Sequence, residues 1–204
     1  RYTEVIAPPK KTADGKYIVF RSKRYSSPLD PPDGNGWQYF ALSMQDNQIV
    51  QVSSGPPFGD LLLGHKKNLA FHFRANRFIA LDLGALLADS EKGILKDSAR
   101  YEKVIATIPD GLRPRGMCLD AADNSLYFST ADRENHSVIY QLNFKTGDTR
   151  KLVEVPFRTG HFQANPWLSG EIMYCWETGG DAPQRIWILR VGKDGSVTNR
   201  PGYP

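Results

Sequence analysis

What most constrains this chain is a module of about forty to fifty residues that recurs along it. Each copy opens on a turn, runs through a strong apolar strand, crosses a polar loop, continues in an alternating strand and closes with a hairpin. In the first copy the turn is Asp14-Gly15 and the strand Tyr17-Ile18-Val19-Phe20. A loop rich in Pro and Gly (26–36) separates these from residues 37–42, and a hairpin at 45–47 leads into residues 49–52. The second copy is less regular: Leu61-Leu62-Leu63, Asn68-Leu69-Ala70-Phe71, residues 77–83, an insertion, and residues 101–108. In the third, Asp123-Asn124 precedes Leu126-Tyr127-Phe128-Ser129, a polar loop spans 131–136, and strands at 138–142 and 150–155 flank Thr146-Gly147-Asp148. The fourth has Ser169-Gly170, strands at 172–175 and 186–191, and a hairpin at Lys193-Asp194-Gly195.

Strands at this period predict an all-β chain built of β-propeller blades, at roughly 10–55, 58–109, 112–156 and 158–204 of one partial propeller domain. Each blade buries its faces only against neighbours, so the sheets need a closed ring. The chain opens at Arg1 without a methionine and stops at Arg200-Pro201-Gly202-Tyr203-Pro204, in what reads as a blade's last strand with no ring-closing strand. The expectation is a fragment of a longer propeller, the remainder lying outside this sequence or in a second chain that completes the ring. Helical spacing is confined to Leu81, Leu83, Leu86, Leu87 and Ile94, where Gly84 and Gly93 interrupt it, so a short helix or a loop is expected there.

Charge and motifs exclude several functions. With 26 basic against 22 acidic residues the net charge is +4, and the basic residues form no long block. That pattern argues weakly for an anionic ligand and against a nucleic-acid arm. No apolar run is long enough to cross a bilayer, and the start carries no signal-peptide pattern. Cys118 and Cys175 sit in apolar runs and are expected reduced and packed, which leaves the compartment open. His65, His72, His136 and His161 have no ligand spacing, so no metal site is expected within this chain. No Gly-rich phosphate loop, Ser-His-Asp ordering or Cys-x-x-Cys pair occurs, and nothing favours Glu177 with Asp181 as a glycosidase pair.

The densest run of unusual residues is in the fourth module: Gly160-His161-Phe162-Gln163-Ala164-Asn165-Pro166-Trp167, then Tyr174-Cys175-Trp176-Glu177, then Gln184-Arg185-Ile186-Trp187. The turn signals place His161 and Gln163 ahead of a strand and Cys175, Trp176 and Glu177 at its far end, where loops on rigid strands carry binding groups. The tryptophans fill a blade core equally well.

Two resemblances attach to these residues. Asp14-Gly15-Lys16-Tyr17-Ile18-Val19-Phe20 resembles the blade pattern of TolB-like propellers. Residues 158–190 resemble the middle of oligogalacturonate lyases, through Gly160-His161, Asn165-Pro166, Tyr174-Cys175-Trp176-Glu177 and Arg185-Ile186-Trp187. That family implies a seven-bladed propeller cleaving short pectic oligomers by β-elimination with a Mn²⁺-type metal, of which this chain holds the first half to two-thirds. It also implies a bacterial protein, in periplasm or cytoplasm. His161 matches the family's histidine at the start of this blade, and Cys175 and Glu177 match two positions of its Phe-Cys-His-Glu-Gly segment. Trp176 departs from the pattern, standing where the better-known lyases carry a histidine taken as their base. The family's metal ligands, including a Gln-x-x-His-x-His cluster, would fall beyond Pro204.

On that resemblance the expected ligand is an acidic oligosaccharide. β-Elimination on a uronate needs a base for the C5 proton, neutralisation of the carboxylate, and departure of the C4 oxygen. Arg115 and Arg185 suit the carboxylate, since a guanidinium binds it in two places; each could equally be an ordinary exposed or salt-bridged arginine. His161 would act as base or orient the sugar. Gln163 and Asn165 would hydrogen-bond it, Glu177 would accept its hydroxyls, and Trp167 and Trp176 would offer flat faces to its ring. The alternative is a non-catalytic TolB-like propeller that binds a glycan or a protein partner.

Overall fold

A computed structural model describes residues 10–22, 38–53, 60–94, 97–131, 136–177 and 184–202. The loop expected at 26–36, most of the polar loop at 131–136, Asp181, the Gly179-Gly180 and Pro183 that in the sequence separate the strands at 172–175 and 186–191, and the last two residues lie outside the described residues. The chain divides into two units, Arg1–Ile105 and Ala106–Pro204. Every described strand belongs to one of four antiparallel four-stranded sheets, each in simple chain order, which is the meander of a propeller blade.

In the first unit, β1 (Lys10–Lys11), β2 (Tyr17–Ser22), β3 (Gln38–Ser43) and β4 (Ile49–Gln51) form one sheet. A second contains β5 (Leu62–Leu63), β6 (Leu69–Arg74), β7 (Arg77–Asp82) and β8 (Glu102–Thr107). Alternation along β2 and β3 puts Tyr17, Val19, Tyr39 and Ala41 on one face, and they bury against Leu61, Leu63, Ala70 and Leu81. Fully burying each of the larger side chains is worth about 1.5–3 kcal/mol. The expected insertion is helix α1 (Leu83–Glu91), which forms despite Gly84 because Leu83, Leu86 and Leu87 join the same core. Asp82 caps it by accepting from the Ala85 amide at 2.9 Å, and Gly93 (φ 73°) lets the chain leave it. The helix is too short to cross a membrane, and no described helix is long and apolar enough to do so.

In the second unit, β9 (Arg115–Leu119), β10 (Ser125–Ala131), β11 (Ser137–Asn143) and β12 (Thr149–Val155) form one sheet. The other is β13 (Thr159–Ala164), β14 (Glu171–Trp176), β15 (Ile186–Val191) and β16 (Val197–Pro201). Their shared core contains Tyr127, Ile139, Val155 and Phe157 against Phe162, Ile172, Tyr174 and Leu189. Adjacent blades are also latched turn to turn. Asp120 Oδ1 accepts from the Gly170 amide at 2.9 Å, just as Asn68 Nδ2 donates to Asp14 Oδ2 at 2.7 Å in the first unit.

Two sequence expectations change. The modules read as starting at a turn, yet β1, β9 and β13 add an edge strand before that turn. These strands hold Lys10-Lys11, Arg115-Gly116 and Gly160-His161, which break the apolar alternation that marks a strand. His161 and Gln163 do precede the strand at 172–175, now β14 (Glu171–Trp176), but they are not in a loop: they belong to a strand of their own, β13.

Candidate functional site

Strand β13 carries a bulge that decides where His161 points. Gly160 pairs with Cys175 and Gln163 with Met173, so His161 and Phe162 together stand opposite Tyr174 alone. In this bulge the extra residue takes a left-handed backbone, His161 having φ 52°. Phe162 then turns inward to stack on Tyr174 at 5.5 Å, while the His161 side chain is 72% exposed. Strand β9 has the same irregularity: Met117 pairs with Phe128 and Arg115 with Ser129, leaving Gly116 (φ 43°) as the extra residue. A Cβ at Gly116 would lie 2.7 Å from the Phe162 ring and 3.7 Å from Gly160 Cα, so the two bulged strands approach closely.

The end of β14 folds over the start of β13. The Glu177 amide donates to Arg158 O at 2.8 Å, and Arg158 Nε lies 2.8 Å from Glu177 Oε2. The other oxygen, Oε1, is 3.9 Å from His161 Nε2. This carboxylate rests directly on the backbone of Gly160, where a Cβ would sit 1.9 Å from Oε1. Any side chain at that position would evict it.

Of the residues expected at a site, the structure brings His161, Trp176, Glu177, Arg185 and Arg115 to this end of the unit. Arg185 O accepts from the Trp176 amide at 2.8 Å at the start of β15, and Arg115 opens β9 beside Gly116. Trp176 is held from below, its ring stacked on Phe157 at 4.7 Å with Trp187 5.3 Å from the same ring. Gln163 is exposed in mid-strand opposite Met173. Asn165 and Trp167 lie at the opposite end of β13. Asn165 Oδ1 accepts from the amides of Trp167 (2.9 Å) and Leu168 (3.1 Å), and its Nδ2 donates to Glu171 Oε1 at 2.8 Å. That is the chemistry of an Asx turn. The Asn165 hydrogen bond holds the Glu171 carboxyl below the usual carboxylate range, with Arg190 adding to it against the opposing effect of burial. Trp167 is 90% exposed on this turn.

No sequence pattern singles out Arg158 or the seat that Gly160 makes for Glu177. An isolated arginine in a chain of scattered charges carries no pattern, and the Gly160–Glu177 contact joins strand ends distant in sequence. The one available signal was that Gly160 directly precedes His161.

The described residues do not fit a resident Mn²⁺ ion. They contain no group of three or more His, Cys, Asp or Glu side chains that could hold a metal. His161 and Glu177 offer two donors at most, and the Arg158 charge on Glu177 opposes a second cation.

Comparisons with known proteins agree with this architecture. No family model matches the chain, and no curated protein matches it in sequence. Among solved structures, an oligogalacturonate lyase in complex with manganese is similar, with TM-score 0.69 and 17% identity over 94% of this chain and 50% of that one. An oligogalacturonate lyase from Vibrio parahaemolyticus gives TM-score 0.65, 16% identity, 94% and 50%. A protein assigned as TolB from Agrobacterium tumefaciens gives TM-score 0.62, 16% identity, 98% and 61%. The chain spans about half the length of these lyases. At such identities the likeness speaks for the fold alone. This chain therefore has the propeller-blade architecture that oligogalacturonate lyases and TolB-like proteins share.

Proposed function

We propose that this chain is part of a lyase-type propeller that binds acidic, uronic-acid-containing oligosaccharides and takes part in their cleavage by β-elimination. The observation that carries this reading is the group at the ends of β13 to β15: a solvent-facing His161 beside Glu177, with Arg158, Arg185 and Arg115 contributed by neighbouring strand ends. Uronate elimination uses two of these functions. Arginine neutralises the carboxylate as charge moves onto it from C5. The imidazole takes the C5 proton; the C–H pair becomes the C4–C5 double bond, and the C4–O bond breaks with its electrons leaving on oxygen, which is then protonated. The structural likeness to two oligogalacturonate lyases supports this reading, and the manganese of one belongs to that protein.

The second reading, a non-catalytic TolB-like propeller that binds a glycan or protein, is favoured by Trp176. Its indole packs on Phe157 and is a hydrogen-bond donor only, so it takes no proton from a substrate. The two readings part on one experiment. The intact natural polypeptide, incubated with oligogalacturonates and with Mn²⁺ supplied, should generate the ultraviolet absorbance of unsaturated uronide ends, and His161→Ala should abolish it. Uronide binding without any such product favours the second reading.

A further inference from the structure

Arg158 stands out because two independent contacts fix it. Its carbonyl accepts from the Glu177 amide, and its Nε meets Glu177 Oε2, both at 2.8 Å. The side chain is nevertheless half exposed. The carboxylate meets the guanidinium at Nε, on its side, whereas the two terminal amino groups form a separate donor edge at its end. A planar fork with one edge anchored and one edge in solvent is pre-organised for a second carboxylate, since little rotamer freedom remains to be lost. The anchor is itself built in: Glu177 reaches this position because residue 160 has no side chain. An ordinary surface ion pair contributes little and needs no such seat.

We infer that Arg158 is the residue that recognises the ligand's carboxylate, and that Glu177, seated on Gly160, is its positioning residue. This rests on the acidic-sugar reading above and deepens it. A uronate carboxylate would bind the outer edge of Arg158 in a bidentate pair, with His161 alongside on the Glu177 side of the cluster. A neutral sugar of the same shape would leave that edge unpaired and would bind more weakly.

The test is calorimetric binding of digalacturonate and of its neutral counterpart, digalactose, to the intact wild-type polypeptide and to four variants. Losing a charge-assisted pair corresponds to about 10- to 100-fold in affinity. Arg158→Gln should weaken digalacturonate by that factor and leave digalactose unchanged, erasing the preference. Arg158→Lys should restore part of it. Glu177→Gln and Gly160→Ala should each reduce the preference with Arg158 intact, at an unchanged midpoint of thermal unfolding for Glu177→Gln, which a merely structural role would not produce. If wild type prefers digalacturonate and Arg158→Gln keeps that preference, the inference fails while the acidic-sugar reading stands. If wild type shows no preference for digalacturonate, both fail.

Discussion

Replacing His161 by glycine should make the protein more stable than replacing it by alanine, while destroying its function. The left-handed backbone at His161 (φ 52°) costs a residue with a Cβ roughly 1 kcal/mol, although histidine is among the types found there more often. Glycine removes that cost and adds back about 0.5 kcal/mol through the freedom of its unfolded chain. Alanine keeps the strain. Both variants lose the same exposed imidazole, which is 72% accessible and 3.9 Å from Glu177, a contact worth at most about 1 kcal/mol. The expected order is glycine above alanine by about 0.5 kcal/mol, with glycine within about 0.5 kcal/mol of wild type. Guanidinium titration with unchanged slope reads this as a shift of midpoint. Both variants should fail to form unsaturated uronide. A glycine variant about 1 kcal/mol less stable than the alanine variant would refute the reasoning, because it would show that the strand does not need a left-handed residue here.

Other outcomes follow from the same geometry. Gly116→Ala should destabilise by about 1–3 kcal/mol in thermal unfolding, since it puts a Cβ 2.7 Å from the Phe162 ring at φ 43°. Asp120→Ala should cost about 1–3 kcal/mol, because it orphans the Gly170 amide that joins two blades and the Ala122 amide beside it; a neutral result would deny the latch. Acid stability should depend on Glu102. Burial pushes its carboxyl up, but hydrogen bonds from His72 and Arg74 and the Arg74 charge outweigh this and hold it below 4.5. A depressed carboxyl stabilises the fold above its unfolded value of 4.5 and loses that contribution as pH falls through the lower folded value. Glu102→Gln should therefore be less stable than wild type at neutral pH, and the gap should close in unfolding titrations as pH falls below 4.5 and through the lower folded value.

Propeller blades were legible because strands such as Tyr17-Ile18-Val19-Phe20 and Leu126-Tyr127-Phe128-Ser129 are apolar runs opened by Asp-Gly or Asp-Asn turns, a local signal. The edge strands were not. Lys10-Lys11 and Gly160-His161 are strands only because a neighbouring strand pairs with them, and pairing leaves no trace in an unpatterned dipeptide. The bulge at His161 hid the strand in the same way: it inverts the alternation, so the histidine reads as a loop residue ahead of β14. Asn165 and Trp167 stood near His161 in sequence, yet the length of β13 carries them to its opposite end. Arg158 was invisible because its partner arrives from another strand.

The central claim is that the ends of β13, β14 and β15 hold an acidic sugar by its carboxylates. Titrating the intact wild-type polypeptide with trigalacturonate and with its full methyl ester tests it most directly, since the two ligands differ only at that group, which the ester leaves uncharged. The acid should bind about tenfold or more tightly, and the advantage should shrink as salt is raised. Equal affinities for acid and ester, or a preference for the ester, would contradict the account.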